Sequence, residues 1–352
     1  MELGIIEGYF GTPWSWAERR ETMEFLAPHG YRFFLYAPKA DAWLRRDWRT
    51  PHPEPVAAEI AAFGAACRRA GVRFGVGLSP YEAYLDFDAA AEAALVAKLA
   101  ALDRMGIDDL AILFDDMRGD LPDLAERQAR IVDFAAARTR ASRLIVCPSY
   151  YSDDPVLDRV FGRRPVGYLE TLGRLLDPDV EMFWTGEEVC SREISPGHID
   201  RVAEAMRRRP FLWDNYPVND GQRLSQHLHL RGFTGRPAAL AGRLSAHAVN
   251  PALQPALTRI PLLTLPESYR DGDAYRYGDA FRRAAGAVLG EELATLVRDD
   301  LLTLQEVPLD LLGEKAGQLR GRYEGRPEPG AREIMAWLDG RYRISHALVQ
   351  TQ

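Results

Sequence analysis

The chain has 352 residues, 47% hydrophobic and 27% charged, the balance of an ordinary globular protein with room for one large domain and a small appendage. Its 44 basic residues against 51 acidic ones give a net charge of -7 and a pI near 5.6, which argues against a nucleic-acid surface. Cys67, Cys147 and Cys190 lie far apart with no CxxC spacing, and no apolar run is long enough to span a membrane, so the reading is a cytoplasmic, reducing setting without disulfides, zinc or membrane partners. Met1-Glu2 runs straight into apolar Leu3-Gly4-Ile5-Ile6, so no secretory leader is expected.

Short apolar runs alternate with amphipathic stretches along the chain. Residues 3–6 predict a first strand, and Ser15 with Glu18 three residues on predicts a capped helix. Residues 31–37 (YRFFLYA) predict the second strand, ending at Pro38-Lys39, and a helix follows over 56–70. The third strand falls at 72–78, and the alanine-rich 89–105 predicts a strong helix. Residues 110–114 (LAILF) carry no polar residue, the signature of a strand buried on both faces in a parallel sheet, and they run into Asp115-Asp116. A helix over 121–141 precedes the fifth strand at 143–147, and 180–184 predicts the sixth. Ser195-Pro196 opens the next helix, 210–213 gives the seventh strand, and 246–249, ending at Asn250-Pro251, gives the eighth.

Eight strands, each followed by a helix, predict an α/β fold, a (β/α)8 TIM barrel. An open doubly wound sheet would also alternate, but would show a glycine-rich phosphate turn after its first strand, and Gly8 and Gly11 lack that spacing. The polar, turn-rich stretch 267–278 marks the expected boundary between a barrel over 1–266 and an all-helical region over 267–352. Within the latter, helices are expected at 280–289, 291–304, 309–323 and 331–348, with a break at Pro327-Glu328-Pro329-Gly330.

In such barrels the C-terminal strand ends form the rim where chemistry sits. Collected there are Gly8, Lys39, Asp115, Asp116, Tyr151, Trp213, Asn215, Asp220 and Asn250. Singly, each has an ordinary structural use, as an exposed lysine, a core aromatic or a turn former. Together they are what a pyranose needs: carboxylates and amides for its hydroxyls, and aromatic rings for its apolar face.

Five segments in order then carry a family resemblance. Gly4-Ile5-Ile6-Glu7-Gly8-Tyr9-Phe10-Gly11-Thr12-Pro13-Trp14, Tyr36-Ala37-Pro38-Lys39, Leu113-Phe114-Asp115-Asp116, Phe183-Trp184-Thr185-Gly186 and Trp213-Asp214-Asn215-Tyr216-Pro217-Val218-Asn219-Asp220 resemble glycoside hydrolase family 84. These are the β-N-acetylglucosaminidases that include protein O-GlcNAcases. The resemblance implies that Asp115 and Asp116 are catalytic and that Gly8, Lys39, Tyr151, Trp213, Asn215, Asp220 and Asn250 bind the sugar. Ser149-Tyr150-Tyr151 departs from the family's usual Thr-Glu-Tyr, which leaves Tyr150 as a rival to Tyr151, and Asn250 matches with looser spacing. Tyr9-Phe10 reverses the common Phe-Tyr order, and the extra α/β domain that precedes the barrel in multi-domain members is not expected.

The implied reaction is retaining hydrolysis of a terminal β-linked N-acetylglucosamine, with the sugar's own acetamido oxygen as nucleophile and no cofactor or metal. Asp115 would orient the acetamido N–H and Asp116 would serve as general acid and base. The implied partner is a glycoprotein or glycan bearing that sugar, and the oligomeric state is left open, with a homodimer as the candidate. Two alternatives remain at this point. One is a metal-dependent hydrolytic or phosphoryl-transfer barrel with Asp115 and Asp116 as Mg²⁺ ligands. The other is a sugar-binding protein that has lost catalysis. Only 7 histidines, with His227 and His229 the close pair and no HExxH, speak against zinc.

Overall fold

The computed structural model describes residues 1–345. Eight parallel strands close into a barrel in sequence order: β1 Glu2–Glu7, β2 Tyr31–Tyr36, β3 Arg73–Leu78, β4 Asp109–Leu113, β5 Arg143–Cys147, β6 Glu181–Trp184, β7 Phe211–Asp214 and β8 Ala246–Val249. β8 returns to pair with β1, with Glu2 opposite Ala246. Every residue of β4 is buried, as a strand covered inside by the barrel filling and outside by helices must be. The interior is filled by rings and small residues in alternation. Phe33 meets Phe211 at 5.4 Å between centroids, and Phe183 meets Phe211 at 4.7 Å. A Cβ on Gly4 would stand 2.3 Å from the Phe33 ring, so the glycine is what admits that ring.

The lower end of the barrel is closed by charge. Arg73 reaches Asp109 at 3.1 Å and Glu2 at 3.4 Å, while Arg143 pairs with Glu181 and reaches Glu2 at 3.3 Å. Arg143 also lies over the Phe211 ring, 4.8 Å from its centroid, which seals the filling from below.

The outer helices are α1 Trp16–Leu26, α2 Glu54–Arg69, α3 Ala89–Arg104, α4 Leu124–Ala136, α5 Pro155–Phe161, α6 Tyr168–Leu175, α7 Pro196–Met206 and α8 Arg259–Asp271. The Ser15–Glu18 capping box forms at the start of α1, and Ser195 caps α7 ahead of Pro196. Three local expectations change. β5 and β6 are joined by two short helices, α5 and α6, that the apolar pattern does not show. Between β7 and β8 there is no α-helix, only 3-10 turns at Leu224–Gln226 and Ala238–Gly242. Pro217, Gly221, Gly232, Gly235 and Pro237 explain this, since each either lacks an amide donor or carries a high entropic cost in a helix. Finally, α8 continues through Pro266 to Asp271, because Leu262, Leu263 and Leu265 hold it against the barrel despite the missing N–H.

Four more helices follow: α9 Tyr277–Leu289, α10 Glu291–Glu306, α11 Glu314–Tyr323 and α12 Pro329–Leu338. α9 packs on α8, α10 on α9, and α12 on α11. α12 stops ten residues short of the expected Leu348; Gly340 adopts a left-handed φ of 74°, and residues 346–348 lie outside the described residues. The Glu333 carboxylate of α12 accepts the backbone N–H of Ala256 (2.8 Å) and Leu257 (2.9 Å), in the segment that leaves β8. Burial pushes the Glu333 carboxyl up to about 7. Residues 341–344 then return to the upper rim, where the Ile344 N–H donates to Ser225 Oγ at 3.3 Å and a Cβ on Gly11 would lie 2.6 Å from Ile344 Cδ1. Among the described residues, no helix is long and apolar enough to cross a membrane.

Candidate active site

The upper rim is built from strand ends held by buried polar contacts. After β1, Glu7 takes a two-pronged contact from Arg19 of α1 (2.6 and 2.8 Å), and Tyr9 OH donates to Glu7 while accepting the Trp14 N–H. This fixes the turn that carries Gly8 and Phe10. Gly8 contributes no side chain for a good reason: a Cβ there would stand 2.2 Å from Trp213 Cζ2. Its N–H lies 3.2 Å from Asn250 Oδ1.

On the far side, Asp214 at the end of β7 is fully buried between Arg236 and His247. Burial alone would raise its carboxyl, but Arg236 foremost and His247 hold it well below the usual range. Arg236 also donates to the carbonyls of Ser191, Arg192 and Thr234, tying the loop after β6 to β7. The neighbouring Asn215 is thereby set. Its Oδ1 accepts from Trp213 Nε1 at 3.0 Å and Asn250 Nδ2 at 2.9 Å, and its Nδ2 donates to the Val189 carbonyl at 2.8 Å. Asp220 Oδ2 accepts the Phe10 N–H at 2.8 Å, which joins the loop after β7 to the loop after β1.

Asp115 and Asp116 follow β4 and face different surroundings. Lys39 Nζ pairs directly with Asp115 Oδ2 and stands 3.8 Å from Asp116 Oδ2. Asp115 Oδ1 is buried with no hydrogen-bond partner among the described residues. Asp116 takes a left-handed φ of 56°, a strained conformation for a residue with a side chain. Its Oδ1 accepts from Tyr151 OH at 3.0 Å. Burial raises the Asp116 carboxyl; the Asp115 charge adds to this, while Lys39, Arg45 and the Tyr151 hydrogen bond oppose it.

All nine residues expected from the sequence line one pocket, together with Phe10, Cys147, Thr185 and Val189. Of the two tyrosines, only Tyr151 lines this pocket. Tyr151 OH reaches Asp116, whereas Tyr150 OH donates to the Gly162 carbonyl at 2.6 Å, away from the pocket. The pocket opens on a wider cleft of about 980 Å³ that holds Arg45, Arg46, Tyr81 and residues 341–344, none of them singled out in the sequence. Arg45 follows Lys39 by six residues inside the charged run Arg45-Arg46-Asp47, which reads as a solvated turn. The signal that could have found it is its place just beyond the second strand end. Among the described residues no group of three or more histidine, cysteine or carboxylate side chains is gathered as a metal site.

Residues 3–304 match the family described as beta-N-acetylglucosaminidase. The chain belongs to that family. It is 28% identical over 278 residues to the protein O-GlcNAcases of Mus musculus and Rattus norvegicus, an alignment covering 76% of this chain and 30% of each relative. The chain thus spans under a third of the length of these curated relatives. Among solved structures it is similar to a mutant O-GlcNAc hydrolase of Thermobaculum terrenum, with a TM-score of 0.80 and 27% identity over 96% of this chain and 80% of that one.

Proposed function

We propose that the chain hydrolyses terminal β-linked N-acetylglucosamine from an O-linked aglycone, with retention and with the acetamido group as nucleophile. The observation that carries this reading is the unequal environment of two adjacent carboxylates. Glycosidases with an enzyme nucleophile set two carboxyls about 5 Å apart across the scissile bond. Neighbours on one strand end are poorly placed for that. They suit a reaction in which the protein supplies no nucleophile.

In the first step the acetamido oxygen attacks C1, the C1–O bond to the aglycone breaks, and the Asp116 carboxylic acid gives its proton to the departing oxygen. Asp115, whose Oδ1 is otherwise unmatched, accepts the acetamido N–H and stabilises the positive charge of the oxazolinium ring. In the second step Asp116, now ionised, takes a proton from water as the water oxygen attacks C1 and the ring opens. The raised carboxyl of Asp116 favours the protonated start, and its neighbour's paired state favours an anion at the acetamido group. Trp213 offers a ring for the sugar's apolar face, and Asn215, Asp220, Asn250 and Lys39 offer partners for hydroxyls. The Lys39 ammonium lies directly on Asp115, where a divalent cation would need that carboxylate, so the arrangement favours the sugar reading over a Mg²⁺ site.

The test is the rate on aryl β-N-acetylglucosaminides whose N-acetyl hydrogens are replaced one by one with fluorine. Each fluorine weakens the acetamido oxygen as a nucleophile, so kcat/KM should fall steeply along the series. A flat response, or a sugar trapped covalently on either aspartate, would refute the proposal.

A further inference from the structure

The proposed sugar pocket ends at Asp116, and whatever is attached to the departing oxygen must pass into the outer cleft. That cleft is rich in guanidinium groups. Arg118 is answered by Asp120 and by the field of Glu82, and Arg343 pairs with Asp310. Arg46 and Arg341 are not answered in this way, and Arg45 has the Asp116 carboxylate in its field but no close ion pair among the described residues. Arg46 forms no ion pair among the described residues, and Arg341 is 74% exposed with Asp339 no nearer than 4.0 Å.

Arg45 is the most telling of the three. It is 8% exposed, and its Nη2 donates to the Asp116 carbonyl at 3.1 Å. Its Nε is buried with no hydrogen-bond partner among the described residues. The guanidinium stands over Phe10 at 5.7 Å and Tyr81 at 5.4 Å, and Arg46 shares the Tyr81 ring at 4.7 Å. Ring stacking holds such a group by its faces and leaves its N–H edge for a planar anion. An orphaned buried donor beside the candidate proton donor, with Arg46 unpaired and Arg341 only loosely paired outside it, describes a seat for negative charge. The wall supplied by residues 341–344 lies beyond residue 304, where the family match ends, so this side of the cleft is not part of the matched barrel.

We propose that the outer cleft is an anion-reading aglycone subsite: the enzyme prefers β-N-acetylglucosaminides whose aglycone carries a carboxylate, received by Arg45 and Arg46 over Tyr81 with Arg341 at the rim. This rests on the function proposed above. The test uses three phenyl β-N-acetylglucosaminides bearing a para carboxymethyl, hydroxymethyl or aminomethyl group, with the p-nitrophenyl glycoside as control. Each is compared between the wild type and R46Q, R341Q and R45K, so that leaving-group acidity cancels in the ratio.

The expected result is that R46Q lowers kcat/KM on the carboxymethyl substrate about tenfold, with the neutral one changed by less than about twofold. Raising the salt from about 0.05 to about 0.5 M should erode the wild-type preference for the carboxylate and leave the neutral substrate alone. R45K keeps the charge but loses the flat fork, so it should weaken carboxylate preference more than overall rate. Equal turnover of all three substrates, or variants that lower all three alike, would overturn the subsite while leaving the hydrolase reading intact. No turnover of any substrate, the control included, would overturn both. A glycosylated serine peptide with a neighbouring aspartate and a disaccharide ending in a uronic acid then separate the carboxylate's source. The natural source is the one whose advantage over its neutral counterpart is lost in R46Q, and an advantage for neither would overturn the proposal.

Discussion

Strand β4 has a carboxylate problem at each end, and the barrel solves the two differently. At the lower end Asp109 is fully buried, pushed up to about 6 by that burial, with Arg73 and Arg143 pulling it back down. At the upper end Asp115 and Asp116 face Lys39, Tyr151 and the pocket. Both ends even leave one buried carboxylate oxygen without a partner among the described residues, on Asp109 and on Asp115. An orphaned oxygen is therefore no mark of a site by itself. What separates the ends is space: the lower one is plugged by Arg143 on Phe211, and the upper one opens on a cleft.

The sharpest way to break this contrast is to remove the upper carboxylates. Asp116→Ala should lower kcat/KM about 10²–10⁴-fold on substrates with basic leaving groups and far less on acidic phenols, as loss of a positioned acid requires. Asp115→Ala should slow every leaving group. Asp115→Ala should also lower thermal stability, because it leaves the buried Lys39 ammonium without its direct partner, and a phenol series run alongside melting curves checks both points. Equal leaving-group sensitivity in the two variants would sink the division of labour.

Removing the lower carboxylate should bear on stability and spare the rate. Asp109 has a folded-state pKa above its ordinary value, so its contribution to stability is fully present below about 4 and is lost as pH rises through about 6. The stability lost across that window is on the order of 3 kcal/mol. Asp109→Asn should flatten that part of the stability–pH curve and leave kcat/KM nearly unchanged. A variant with wild-type slope would mean the lower cluster does not titrate as the packing implies.

A finer test adjusts Asp116 without deleting it. The Tyr151 hydrogen bond lowers that carboxyl, so Tyr151→Phe should let it rise further and keep the acid protonated to higher pH. The basic limb of the kcat/KM profile should move upward, with a rate loss well short of that in Asp116→Ala; a limb that moves down, or stays, contradicts the assignment. The smallest expected effect is none at all. Hydrolysis should persist in excess EDTA, and loss of activity restored by Mg²⁺ would return the aspartate pair to the metal alternative.

Much of the barrel is legible in the sequence alone. The fully apolar run 110–114 marks an inner strand, which the fold places one residue earlier, and β5 and β8 occupy the residues that their apolar patterns mark. The rim is legible because a parallel barrel puts all strand ends on one side, so one pattern places nine residues together. What the sequence hides is local and physical. Pro266 reads as a stop, yet packing of the leucines around it carries α8 onward. Tyr150 and Tyr151 cannot be told apart because the strand's alternation no longer governs a residue past its end. Arg45 is hidden for a different reason. Its burial comes from Phe10 and Tyr81, which belong to two other loops, and no single stretch of sequence shows that meeting.

The contact made by Glu333 has a consequence for how the molecule comes into being. The amides of Ala256 and Leu257, just past the last strand, find their acceptor on a helix synthesised long after the barrel's strands. During translation the rim near Asn250 is left with two bare donors until α12 docks, although every strand needed to close the barrel has been made. Proper assembly of the upper face thus waits on the arrival of α12, and a nascent chain stalled before it would present a closed barrel with an unfinished mouth.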